Sequence, residues 1–123
     1  MKFAKAVFIL AGIWGVVVLV PLYFLVDITG TPWPAPASYP HFFYGFISVA
    51  LAWQLAFLII GANPERYRLL MIPAILEKLG HVATVGTLYW RGAISIDAAL
   101  TAAPDFLLGI LFVVAFAATK RRP

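Results

Sequence analysis

The chain has 123 residues, 63% of them hydrophobic and only 11% charged, with nine basic and five acidic residues, a net charge of +4 and a mean hydropathy of +0.97. That is too apolar for a small soluble core under a charged surface, so the bilayer is the expected solvent and an all-α fold the expected class. The bases are scattered over helix ends instead of forming a stripe with aromatics, which argues against nucleic acid. The lack of cysteine removes disulfides, thiolate metal sites and thiol nucleophiles.

In chain order, Lys2 and Lys5 precede an uncharged run from Ala6 to Val26, long enough to cross a bilayer and too long for the apolar part of a signal peptide, so an uncleaved first helix over about 4–27 is expected. Residues 27–40 carry Pro32, Pro34, Pro36 and Pro40 with Trp33 and Tyr39, a composition suited to an outer connection at headgroup level. A second helix is expected over about 41–61, with His41 at its boundary. Asn63-Pro64-Glu65 then reads as a cap, a first-turn proline and an early acid for a third helix over 67–90. Arg91-Gly92 turns the chain into a fourth helix over 93–119. Lys2, Lys5, Arg66, Arg68, Lys120, Arg121 and Arg122 fall on one side of this arrangement and Arg91 alone on the other. That bias predicts a single four-helix membrane domain, multi-pass, with both termini cytoplasmic.

Ionisable groups inside such helices cost several kcal/mol unless paired or wetted. Glu77, Lys78 and His81 lie within the third helix and Asp105 within the fourth. Glu77 and His81, four residues apart, share a helix face that Thr84 continues, while Asp97, Thr101, Asp105 and Gly109 recur every four residues as a polar stripe expected to face inward. At 1.5 Å per residue His81 and Asp105 both lie roughly 20 Å from the cytoplasmic helix ends, and Glu77 and Gln54 at roughly 13 and 10 Å. A polar cluster of Gln54, Glu77, His81 and Asp105 is therefore expected. Pro73 and Pro104 beside it free backbone carbonyls, consistent with a small hydrated cavity.

Glu77, His81 and Asp105 are the candidate catalytic groups, and Gln54, Lys78, Thr84, Thr101, Tyr44 and Trp53 the candidate ligand-binding residues, with Lys78 read as a partner or as an anchor reaching for the headgroups. The same polar set also suits a hydrogen-bonded network that fixes helix register. Neither a metal nor another cofactor is expected: the di-metal carboxylate bundles use Glu-x-x-His and more carboxylates, and His41 and His81 lie at different depths for a shared haem. Trp14, Phe42, Phe43, Tyr44, Phe46, Trp53 and Phe57 read mainly as packing or lipid-facing aromatics. No glycine-rich phosphate loop is present.

The stretch Asn63-Pro64-Glu65-Arg66-Tyr67-Arg68-Leu69-Leu70, followed by Leu76-Glu77-Lys78, resembles the small four-helix bacterial membrane proteins grouped as DoxX-like, over about residues 41–118. The resemblance implies a bundle in a bacterial inner membrane and carries over no catalytic residue. In site chemistry the chain is also similar to sterol-isomerase and translocator-type membrane proteins, which set acids and histidines in a cavity between helices, although it has one helix fewer. It is similar to the small multidrug transporters in size and helix count, but its first helix lacks their glutamate.

These readings converge on a membrane protein in contact with lipid that binds a small hydrophobic or amphipathic molecule in an intramembrane polar cavity, with acid/base chemistry of an isomerase or dehydratase kind. The alternative is an interaction subunit or a homo-oligomeric, proton-coupled transporter, in which the polar cluster meets a partner helix or relays protons.

Overall fold

The computed structural model describes residues 2–29 and 40–119, without the side chains of 25–29, 40 and 43. The proline-rich segment at 30–39 and the basic residues Lys120, Arg121 and Arg122 lie outside the described residues, as does the side chain of Asp27. Helix α1 spans Lys2–Thr29 and α2 Pro40–Ala62; a 3-10 turn at Arg68–Leu70 leads into α3, Met71–Trp90; α4 is Ile96–Leu100 and α5 Ala103–Ala118. Among the described residues four stretches are long and apolar enough to cross a membrane: Lys2–Phe24, Tyr44–Ala62, Arg68–Trp90 and Ile96–Ala118. Leu10, Val17 and Phe24 on α1, Leu55 on α2, Leu76 on α3 and Leu107 on α5 are all more than half exposed. Such outward apolar side chains suit an apolar solvent.

The third and fourth expected helices differ from the sequence reading at their starts. Asn63 does cap, but it caps a turn: its side-chain Oδ1 accepts from the Arg66 N–H at 3.3 Å and its carbonyl from the Tyr67 N–H at 3.1 Å, so α3 proper starts only at Met71. At the far end of α3 the Gly92 N–H donates to Tyr89 O at 2.9 Å and the Ala93 N–H to Leu88 O at 2.9 Å, with Gly92 at a φ of 76°. This paired return needs a left-handed residue, and glycine takes that conformation without a Cβ clash. Ser95 then caps α4, its Oγ accepting from the Ala98 N–H at 3.2 Å. Instead of one helix over 93–119 there are two, because Pro104 has no N–H to give to the preceding turn. The chain tightens at residues 101–102, where the Thr101 and Ala102 N–H groups donate three residues back, at 3.3 and 3.1 Å.

The helices pair as α1 with α2 and as α3 with α5, and α1 against α5 joins the pairs; α2 and α3, although chain neighbours, meet along little of their length. Three fully buried rings hold the junction: Phe8 of α1 stacks on Phe112 of α5 at 4.3 Å, and Phe57 of α2 sets its edge against Phe112 at 5.0 Å. Each such aromatic pair adds about 1 kcal/mol beyond its buried area. Ala4, Ala11, Ala74 and Ala115 around the rings let the backbones come close. Along the α1–α2 seam a Cβ on Gly12 would stand 2.9 Å from the Gln54 carbonyl and 2.7 Å from Leu58 Cδ2.

At one end of the bundle Arg68 reaches the C-terminus of α5. Its Nε donates to Thr119 O at 2.6 Å and to Phe116 O at 3.3 Å, and its guanidinium carbon lies 3.8 Å over the Phe116 ring. It thereby satisfies carbonyls that a helix end leaves without partners. Arg68, which the charge count explains by topology alone, is thus also a structural clasp. Lys2 and Lys5 lie at this same end, lining with Asn63, Pro64 and Glu65 a groove of about 370 Å³.

Two changes test these contacts. Gly12→Ala should destabilise the bundle by about 1–3 kcal/mol, because the Gln54 backbone cannot yield, read as a lowered unfolding midpoint in detergent. Arg68→Lys should lose about 1–2 kcal/mol despite keeping its charge, since an ammonium reproduces neither the fork nor the ring stacking; an unchanged midpoint would refute the clasp.

Candidate functional site: an ion-paired cluster between α3 and α5

The cluster centres on Lys78, whose residue is only 5% exposed. From α3 its Nζ donates to Asp105 Oδ1 of α5 at 3.0 Å and stands 3.6 Å from Glu77 Oε2. His81, one turn further along α3, brings Nε2 to 3.6 Å from Asp105 Oδ2. Backbone geometry makes this reach feasible. Pro104 sits in the first turn of α5, where its missing N–H costs nothing, and so fixes Asp105 in the turn where the helix dipole favours a carboxylate. One turn beyond, Gly109 lies so near α3 that a Cβ there would be 3.4 Å from Lys78 Cβ.

Across the seam α2 offers rings. The Phe57 centroid is 5.2 Å from Lys78 Nζ, Trp53 lies 6.3 Å from Phe57, and Phe46 stacks over His81 at 6.2 Å. Residues 46, 53 and 57 fall on one helix face by their spacing of seven and four. Charges from α3 and α5 therefore face an aromatic wall on α2, at a seam where the two backbones meet along little of their length. The Lys78 side chain is 6% exposed, while those of Glu77, Asp105 and His81 are 24%, 27% and 34% exposed. Two carboxylates against one ammonium leave a negative charge over when His81 is neutral. Glu77 Oε2 is sequestered from solvent with no hydrogen-bond partner among the described residues.

Of the residues the sequence singles out, Glu77, His81 and Asp105 meet here. The pairings differ from the expected Glu77–His81 contact: Glu77 lies against Lys78, and His81 against Asp105. Lys78, for which the sequence leaves partner and anchor both open, is the hub of the cluster, because its stem points across to α5. Gln54 is not part of the cluster. It shares with Ile47 and Ala50 the α2 face turned to α1, its amide lying against Gly15 and its Nε2 donating to Ala50 O at 2.8 Å. A neighbour in sequence, Trp53, points about 100° away toward the seam. The expected inward stripe on the last helix splits at the Thr101–Ala102 turn. Asp105 and Gly109 face α3, whereas Asp97 and Thr101 are exposed.

The Thr101 and Thr84 hydroxyls donate to their own helices, to Ala98 O at 2.6 Å and Gly80 O at 2.9 Å. Thr84 lines a second groove of about 330 Å³ with Thr87 and Arg91, further along α3 than the cluster. Tyr44 sets its ring against Tyr23 of α1 at 5.5 Å. Of the aromatics read as packing or lipid-facing, Phe57 is fully buried in the core and Phe46 is exposed beside His81. Among the described residues no three His, Asp or Glu side chains gather as a metal-binding group.

No family model matches this chain, and no curated protein or solved structure matches it either. The site must therefore be read from its own chemistry.

Removing Lys78 tests the cluster's internal logic. Lys78→Met should cost about 3 kcal/mol or more by leaving two carboxylates without their ammonium, and adding Asp105→Asn should recover part of that loss. A double-variant cycle of unfolding midpoints showing strict additivity would mean that the pair is not coupled.

Proposed function

We propose that the chain is a multi-pass protein of the bacterial inner membrane that holds a small amphipathic molecule at the α2–α3 seam, its polar end on the Glu77–Lys78–His81–Asp105 cluster. The observation that carries this reading is the opposition of a partly open charged cluster to an aromatic wall at a loosely packed seam. Such sites join apolar surface to a few convergent polar groups. The His81–Asp105 pair, at the more exposed edge, is the candidate for moving a proton to or from the bound molecule, as an isomerase or dehydratase requires, with Glu77 as the second carboxyl group. Both termini are assigned to the cytoplasm because Lys2, Lys5 and Arg68 gather at one end of the bundle. The resemblance to DoxX-like proteins accords with that membrane.

One observation favours a second reading. Glu77, Asp105 and His81 keep a quarter to a third of their side-chain surface exposed at depths where lipid solvates them poorly. A partner helix or a second copy covering them would make the chain an interaction subunit or an oligomeric, proton-coupled transporter.

Native mass spectrometry of the protein in mild detergent separates the two. A monomer carrying a lipid-like molecule that Glu77→Gln loses is the expected result. A stable ligand-free oligomer that the same substitution breaks would replace the first reading with the second.

A further inference from the structure

We propose that the occupant of this seam is an organic cation: an amphipathic amine whose ammonium pairs with the partly exposed Glu77 and Asp105 carboxyl groups beside Lys78 and whose apolar part runs along Phe46 and Trp53. The inference rests on the reading of the cluster as a binding site and adds the chemical class of the ligand.

Charge is the first argument. Lys78 brings one positive charge to two carboxylates, so the cluster as a set of ionised groups lacks one cation when His81 is neutral. In an apolar medium an uncompensated carboxylate is costly, and a bound ammonium removes that cost by direct pairing. An amphipathic acid would meet the opposite situation, since the ammonium it would seek is already engaged by Asp105 at 3.0 Å.

The second argument is hydrogen-bonding capacity. Glu77 Oε2 is without a hydrogen-bond donor among the described residues, and Asp105 Oδ2 stands 3.6 Å from His81 Nε2, beyond hydrogen-bonding range. The capacity to spare is acceptor capacity on carboxylates, and an alkylammonium supplies N–H donors with charge.

The wall opposite supplies the third, independent argument. Ring faces attract cations through their quadrupole and give an acid no such advantage. Phe57 already shows this behaviour toward the Lys78 ammonium at 5.2 Å. Phe46, 55% exposed and stacked on the partly open His81, offers a like surface at the lateral edge through which a molecule in the bilayer would enter.

The test uses three probes of equal chain length, dodecylamine, dodecanol and dodecanoate, added at equal mole fraction to the full chain in nanodiscs of zwitterionic lipid, with bound probe counted by native mass spectrometry. Dodecylamine should reach half-occupancy at about tenfold lower mole fraction than dodecanol, the worth of one charge-assisted hydrogen bond. Dodecanoate should bind more weakly than either. Glu77→Gln should weaken the amine by about tenfold and the alcohol by less. Phe46→Leu, at an exposed position outside the ion pairs, should weaken the amine more than the alcohol even if the carboxylate variant fails to fold. Equal binding of amine and alcohol, or preference for dodecanoate, would overturn the cationic assignment and leave the amphiphile site standing. Binding of none of the three would overturn both.

Discussion

An ammonium taken out of water survives only beside compensating charge, and the site half of this molecule is arranged around that requirement. Lys78 is nearly closed off, so Asp105 must reach it from α5 and Glu77 must lie against it on α3. For Asp105 to arrive at 3.0 Å the two backbones have to come close, which Gly109 allows, and α5 has to begin where it does, which Pro104 enforces. Even the break between α4 and α5 belongs to this chain of causes. A continuous helix would carry the polar residues at 97, 101, 105 and 109 along one stripe, whereas the break leaves the last two to α3 and the first two exposed.

Hydrophobicity and spacing made the helices legible, because runs long and apolar enough to cross a membrane stand out in a sequence and the described residues hold four of them. Residues at a helix end were harder. Asn63 and Pro64 have the composition of a helix start, yet they close a turn four residues before α3 settles, since local capping chemistry serves both. The last helix misled more, because Pro104 is compatible with either a kink or a restart, and composition does not distinguish them.

Within the site, Glu77, His81 and Asp105 were legible because ionisable groups stand out against an apolar helix and because rise per residue sets their depth. Azimuth was not. Whether Gln54 or Trp53 looks toward α3 depends on how α2 is rotated against α1, and that rotation is decided by the Gly12–Leu58 and Gly15–Gln54 contacts between helices. For Lys78 the sequence leaves partner and anchor both open, for a related reason. Its Cα lies off the Glu77–His81 face, but a four-carbon stem carries the charge far from the direction its Cα suggests.

The contact between Arg68 and the end of α5 joins residues 48 and 51 positions apart in the chain. During synthesis α1 and α2 can pair as soon as both have emerged, whereas the carbonyls of Phe116 and Thr119 exist only when the last span is complete. Until then the α2–α3 turn has its arginine without those acceptors. The Arg68 clasp is thus a contact that only the whole fold contains, and it ties the turn after α2 to the last residues of α5.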